Sequence, residues 1–189
     1  MKYAIPSPTD SNKSKKFTAL VIDLQYDPKV DSNHKLFNPL GFSKAFDQVL
    51  NQIQLFKELG IPFALVQYGY SPFTPGLVEA SGDAPVFTKT RNSALSLGAA
   101  RDFISDSDTL ILSGYSCGVC VRETALDAIK MSKRVWYSAD TVFGEAFPND
   151  LTNLQLFVAS LSFVKSLGPN VLEFSTLSQM EEDLRSSVI

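Results

Sequence analysis

The sequence predicts a three-layer α/β domain built on a mostly parallel sheet, and three observations carry that expectation. Nearly unbroken apolar runs such as FTALVI (17–22) and TLILS (109–113) suit strands buried on both faces, as parallel-sheet strands are. Between such runs lie amphipathic stretches with apolar residues at helical spacing. The two kinds alternate along 189 residues with no repeat, low-complexity block or Pro/Gly/Ser linker, the order expected of βα units. At about 150 residues per domain, the length gives one domain. Residues 1–16 (MKYAIPSPTDSNKSKK) are polar and read as a mobile arm ahead of a single domain over 17–189.

The elements follow in order. After the strand at 17–22 comes a helix over 43–60, with Phe46, Val49, Leu50, Ile53 and Phe56 on one face, Ser43 as N-cap and Gly60 as its stop. Residues 62–67 (PFALVQ) form the second strand, with proline tolerated at its start. The stretch 68–85, rich in proline and aromatics, reads as a long functional loop. A short strand at 86–88 and a helix from about Asn92 precede the strand at 109–113. Residues 118–132 are amphipathic, with Val121, Thr124, Ala125, Ala128 and Ile129 on one stripe. A strand at 134–139, a helix over 150–167, a strand at 171–174 and a polar helix at 178–185 complete the chain. Ligands of such sheets bind beyond the carboxyl ends of the strands, at the switch point. The residues to inspect are therefore Asp23, Gln67, Lys89, 114–120 and Asp140.

Composition excludes several classes. Lys and Arg number 17 against 20 Asp and Glu, a net charge of −3, so no basic excess is available to neutralise nucleic-acid phosphates. Two Cys exclude a disulfide framework, and a single His (His34) is too few for a His-rich metal site. No apolar run approaches the roughly 20 residues that span a bilayer, and the first residues lack a signal-peptide core. The expectation is a cytoplasmic protein with no membrane or nucleic-acid partner.

Three residues could carry chemistry. Asp23 follows FTALVI where water is partly excluded, which would raise its pKa and suit proton transfer; it also reads as a loop residue beside Asp27 and Pro28. Lys89 reads as a surface charge unless the fold sets it beside an acid or thiol. Cys120 falls in the first turn of a helix after a buried strand. Free N–H groups and the helix dipole there favour a thiolate and can hold an oxyanion. A thiol with pKa about 8.5 is only a few per cent ionised at pH 7, and one lowered to about 6 is roughly nine-tenths ionised. The expectation is a thiolate; the plain alternative is a space-filling Cys. Cys117 and Cys120 also make C-x-x-C, a redox spacing, although two-thirds along the chain instead of in an early βα unit.

The segments ALVIDLQYD (19–27), VFTKTRNSAL (86–95) and LILSGYSCGVCVRETALDA (110–128) resemble the site motifs of the isochorismatase-like cysteine hydrolases. Asp140 in YSADTV also fits that family's strand-end Asp. The resemblance spans 17–167. It implies a Rossmann-like six-stranded parallel sheet in the order 3-2-1-4-5-6, with the ends of strands 1 and 4 at the switch point. It implies Cys120 as nucleophile, Asp23 as base and then acid, and Lys89 as the cation supporting both charges. It further implies an oxyanion hole from the backbone N–H groups of Ser116 and Cys120, a cis peptide between Tyr115 and Ser116, and Gln25 near the substrate.

The chain departs from the pattern in two places. Metal-dependent nicotinamidases of the family hold their ion with a stretch like Asp-Trp-His-Pro, where this chain reads Gly69-Tyr70-Ser71-Pro72. No metal and no cofactor are therefore expected. Pro28 replaces the aromatic after the Asp-Gln motif. Tyr68, Tyr70 and Phe73 read either as an apolar lid over a small planar substrate or as a contact with another subunit, since homo-oligomers are common in the family. The expected function is hydrolysis of a small amide or carbamoyl compound. The alternatives are a Cys117/Cys120 redox protein, vinyl-ether hydrolysis of the isochorismatase type, and a non-catalytic relative.

Overall fold

In the computed structural model, residues 16–25, 42–143 and 170–188 are described. The expected arm before Lys16, the loop at 26–40 with Asp27, Pro28 and His34, and the expected helix at 150–167 lie outside them. Lys16 itself, read as part of the arm, is pinned to the fold: its carbonyl accepts the N–H groups of Asp108 and Thr109.

The strands are β1 (Phe17–Ile22), β2 (Phe63–Tyr68), β3 (Val86–Lys89), β4 (Thr109–Tyr115), β5 (Arg134–Phe143) and β6 (Val171–Phe174). They form one sheet in the order β3-β2-β1-β4-β5-β6 with every pairing parallel. This is the expected order. All six residues of β1 are buried, because its alternate side chains enter two cores. Phe17, Ala19 and Val21 join one core with α1 (Phe42–Leu59), and Leu20 and Ile22 join the other with Ala125 and Ala128. Helix α1 ends at Gly60, whose φ of 65° is left-handed. The Gly60 N–H donates to the Lys57 carbonyl and the Ile61 N–H to the Phe56 carbonyl, a Schellman stop that glycine makes without a Cβ clash.

Several boundaries differ from the expectation. The 68–85 stretch contains a short helix, α2 (Leu77–Ser81), held by the fully buried Leu77 and by the Ser81 hydroxyl donating to the Leu77 carbonyl. The helix from Asn92 is two pieces, a 3-10 turn (Ala94–Ser96) capped by Ser93 and α3 (Gly98–Phe103), split by the extended Leu97. The amphipathic helix begins as a π turn (Cys117–Val121), in which the Val121 N–H reaches the Ser116 carbonyl, and continues as α4 (Arg122–Lys130). Strand β5 is longer than expected because its pairing with β4 slips from Leu112–Tyr137 to Gly114–Val142. Residues 138–141 bulge out there. Asp140 stands in the bulge and accepts the Leu177 N–H at 3.0 Å, capping α5 (Leu177–Val188), and the Ser138 hydroxyl. Its carboxylate, expected at the site, is thus committed to a helix cap.

Candidate active site

Asp23 is the first residue past β1. Its N–H donates to the Val66 carbonyl and its own carbonyl accepts the Gln25 N–H. Its φ of 53° is left-handed, a conformation Asp tolerates better than most residues. This turn aims the carboxylate across the carboxyl end of the sheet. Lys89 ends β3 and is wholly buried. Its Nζ lies 2.7 Å from Asp23 Oδ2 and 3.2 Å from Cys120 Sγ. The Tyr68 ring covers the ammonium at 4.6 Å, a cation–π contact. Three residues from three segments therefore meet at one point.

Gly114 makes the meeting geometrically available. It pairs with Ile22 across β1 and β4, has φ of 107°, and any Cβ there would collide with the Ile22 backbone. The two strands approach closely just before Asp23 on one side and the Cys120 turn on the other. The sequence places Gly114 just past the 109–113 run; the register locates it inside β4.

Electrostatics change one expectation. Burial pushes the Asp23 pKa up, against the opposing pull of Lys89 and Cys120. Burial, then the Asp23 carboxylate, pushes the Cys120 thiol up to about 11, with Lys89 opposing. The thiolate expected from the helix N-terminus is corrected here. Lost hydration and an anion facing the sulfur both disfavour the thiolate and favour the thiol form of Cys120. Asp23 Oδ1 is buried and accepts no hydrogen bond of ordinary geometry among the described residues, so it retains acceptor capacity. Cys117 is buried in the core, pushed up to about 12 by burial and by Glu173.

The peptide between Tyr115 and Ser116 is cis. The N–H groups of Val119 and Val121 both donate to the Ser116 carbonyl, and neither bond uses the N–H of Cys120 or Ser116. Gln25, expected near the substrate, is engaged with backbone groups. Its carboxamide donates to the carbonyls of Tyr68 and Ser71 and accepts the Tyr68 N–H, so both its donors serve as a clamp between the Asp23 turn and the end of β2. Tyr68 lies on Lys89, Phe73 packs against the core, and Tyr70 is 91% exposed. The three aromatics do not make one lid. Residues 69–72 carry no imidazole or carboxylate, and among the described residues no three His, Cys, Asp or Glu side chains gather to hold a metal. A cavity of about 400 Å³ beside Phe17, Ile61 and Phe103 lies at the amino ends of the strands, opposite this group.

No protein-family model and no curated protein matches the sequence. Solved structures do match in shape. An isochorismatase family protein from Desulfovibrio vulgaris superposes with a TM-score of 0.73 at 17% identity, covering 90% of this chain and 99% of that one. The YcaC gene product of Escherichia coli, an octameric hydrolase of unknown specificity, gives 0.70 at 19%, covering 89% and 80%. The pyrazinamidase of Pyrococcus horikoshii, solved with zinc, gives 0.65 at 20%, covering 84% and 99%. At these identities the likeness is one of architecture, and it extends over nearly the whole chain. Its strand order and parallel sheet give this protein the isochorismatase α/β fold.

Proposed function

We propose that the chain is a cytoplasmic, metal-independent hydrolase of a small amide or carbamoyl compound, with Cys120 as nucleophile. The observation that carries this reading is Lys89 Nζ within 2.7 Å of Asp23 and 3.2 Å of Cys120. A buried ion pair adds little net stability over apolar side chains, so burying this one beside a thiol favours a chemical role. With its pKa pushed up by burial and by the facing carboxylate, the Cys120 thiol ionises little by itself at neutral pH. Asp23 therefore removes the proton as sulfur attacks the carbonyl. The C–S bond forms, the carbonyl electrons move to oxygen, and the N–H groups of Ser116 and Cys120 receive the oxyanion. Asp23 returns its proton to the leaving nitrogen as the C–N bond breaks. It then deprotonates the water that cleaves the thioester and restores the thiol. Lys89 holds the carboxylate and the transient thiolate throughout. Shape similarity to a pyrazinamidase, an amide hydrolase by name, agrees with this substrate class.

The redox alternative is disfavoured because both thiol pKa values are raised, where a redox dithiol needs one lowered. A non-catalytic role is disfavoured because Lys89 faces the sulfur instead of solvent. The octameric relative and the exposed Tyr70 ring favour a homo-oligomer in which Tyr70 meets a neighbour.

The test is ammonia release from a panel of small amides, ureido acids and carbamoyl compounds. Cys120→Ala should abolish turnover, and Cys117→Ala should reduce it only mildly. Equal losses in both variants, or full activity in Cys120→Ala, would defeat the reading. The acid limb gives a second check. Asp23 works as the carboxylate, and its pKa is raised above the usual 3.8. The rate should therefore fall, as pH drops, at a midpoint above that of an ordinary carboxylate. A midpoint at or below 3.8 in the kcat/KM profile would remove Asp23 as the base.

A further inference from the structure

We propose that Thr124 is a positioning residue that sets the distance between Lys89 and Cys120, an inference that rests on the hydrolase reading above. The geometric problem is plain. Lys89 ends β3, an edge strand whose partner in the sheet is β2. Cys120 follows β4, which lies on the far side of β1. Strands are spaced about 4.8 Å apart, so the backbones carrying the amine and the thiol are three strand positions apart in the sheet. Sheet hydrogen bonds pass between them only through β2 and β1. Something else must hold the two segments together if 3.2 Å is to be kept within the few tenths of an ångström that reaction geometry requires.

Thr124 makes that link. It is fully buried, and its hydroxyl donates to the Cys120 carbonyl at 2.7 Å while accepting the Ala94 N–H at 3.0 Å. A threonine bonding back to the carbonyl four residues earlier is commonplace in helices and by itself signifies nothing. The second bond is different, because Ala94 belongs to the segment leaving β3, five residues after Lys89. One hydroxyl thus ties the nucleophile's own carbonyl to the lysine's segment. A second tie runs parallel to it: Ser93 caps Leu95 and its hydroxyl also meets Asp127, one turn further along α4. The stretch after β3 is therefore fastened to the helix that carries Cys120. The sequence set Thr124 on an apolar stripe and inside the 110–128 motif, without a role of its own.

The test needs no substrate for its first arm. The pH profile of iodoacetamide alkylation of Cys120 is measured in the Cys117→Ala background for native Thr124, T124V and T124S. Lys89 holds the thiol pKa down, so loosening it should raise the alkylation midpoint. One unit means about tenfold slower alkylation at pH 8. T124S keeps the hydroxyl and should keep the native midpoint. In the second arm, T124V should lower kcat about 10- to 100-fold with little change in KM, and T124S should recover most of it. Should T124V fold poorly in a thermal melt, A94P serves instead. It deletes the donated N–H at the first position of the 3-10 turn, where proline is tolerated, and leaves the Thr124–Cys120 bond. An unchanged or lowered midpoint in folded T124V and A94P would overturn the proposal, as would equal displacement in T124V and T124S. A raised midpoint in a protein that cleaves none of the panel upholds the link and retires only the substrate assignment.

Discussion

Asp23→Asn is expected to abolish turnover and, at the same time, to make Cys120 easier to ionise. The two effects have opposite signs because the proposed mechanism gives Asp23 two parts. As a base it must accept the thiol proton, and an amide cannot; losses on the order of 100- to 10,000-fold follow from removing a general base. As an anion facing a buried sulfur it raises the thiol pKa. Removing that charge leaves the Lys89 ammonium as the nearest ion, and a thiolate then becomes its natural counterion. The alkylation midpoint of Cys120 should therefore fall below about 11, and labelling near neutral pH should accelerate in a protein that no longer turns over. Asparagine suits the test because it also tolerates the left-handed backbone at this position. Removing one partner of a buried pair costs about 3–5 kcal/mol, so a melt must show the variant folded. A folded Asp23→Asn protein that alkylates more slowly than the native one would contradict this account of the site.

Gly114→Ala is expected to damage stability and activity together. Its Cβ would strike the Ile22 backbone, and the φ of 107° is strained for any L side chain. Neither β1 nor β4 can retreat easily, since both are central strands buried on both faces. Overpacking of side chains costs 1–3 kcal/mol, and a clash with backbone should lie at about 3 kcal/mol or more. For a chain of this size that corresponds to a fall in Tm of roughly 6–12 °C. Because the same contact aligns the Asp23 turn with the Cys120 turn, residual folded protein should turn over poorly. Thermal melts and turnover per folded molecule check both parts. Native values for both would show that the close approach of these strands matters to neither.

Much of this architecture was legible before any coordinates. The β1 and β6 boundaries agree with periodicity, and the sheet order and the convergence of Asp23, Lys89 and Cys120 agree with what the family resemblance implies. The periodic signals are local: an apolar run for a doubly buried strand, a polar residue where the run ends. What the sequence left out has a different character. Gln25 and Asp140 carry the right chemistry at the right ends of strands, yet each spends it on backbone groups far away in sequence, Gln25 on Tyr68 and Ser71, Asp140 on Leu177. Leu77 looked like loop sequence because the burial that holds its helix comes from tertiary packing.

The sharpest divergence concerns the sulfur. From the chain alone, Cys120 at a helix start reads as a thiolate, because the dipole is a property of the local turn. Its surroundings push the other way, since hydration lost to packing and the charge on Asp23 both raise the thiol pKa. Residue order by itself was thus enough for the alternation of strands and helices, and the family resemblance implied the strand order and the three side chains that meet. The protonation of those side chains and the ties that hold them, through Thr124 and Gly114, belong to contacts between distant segments. No local pattern encodes these, because they depend on distances that exist only once the sheet has closed.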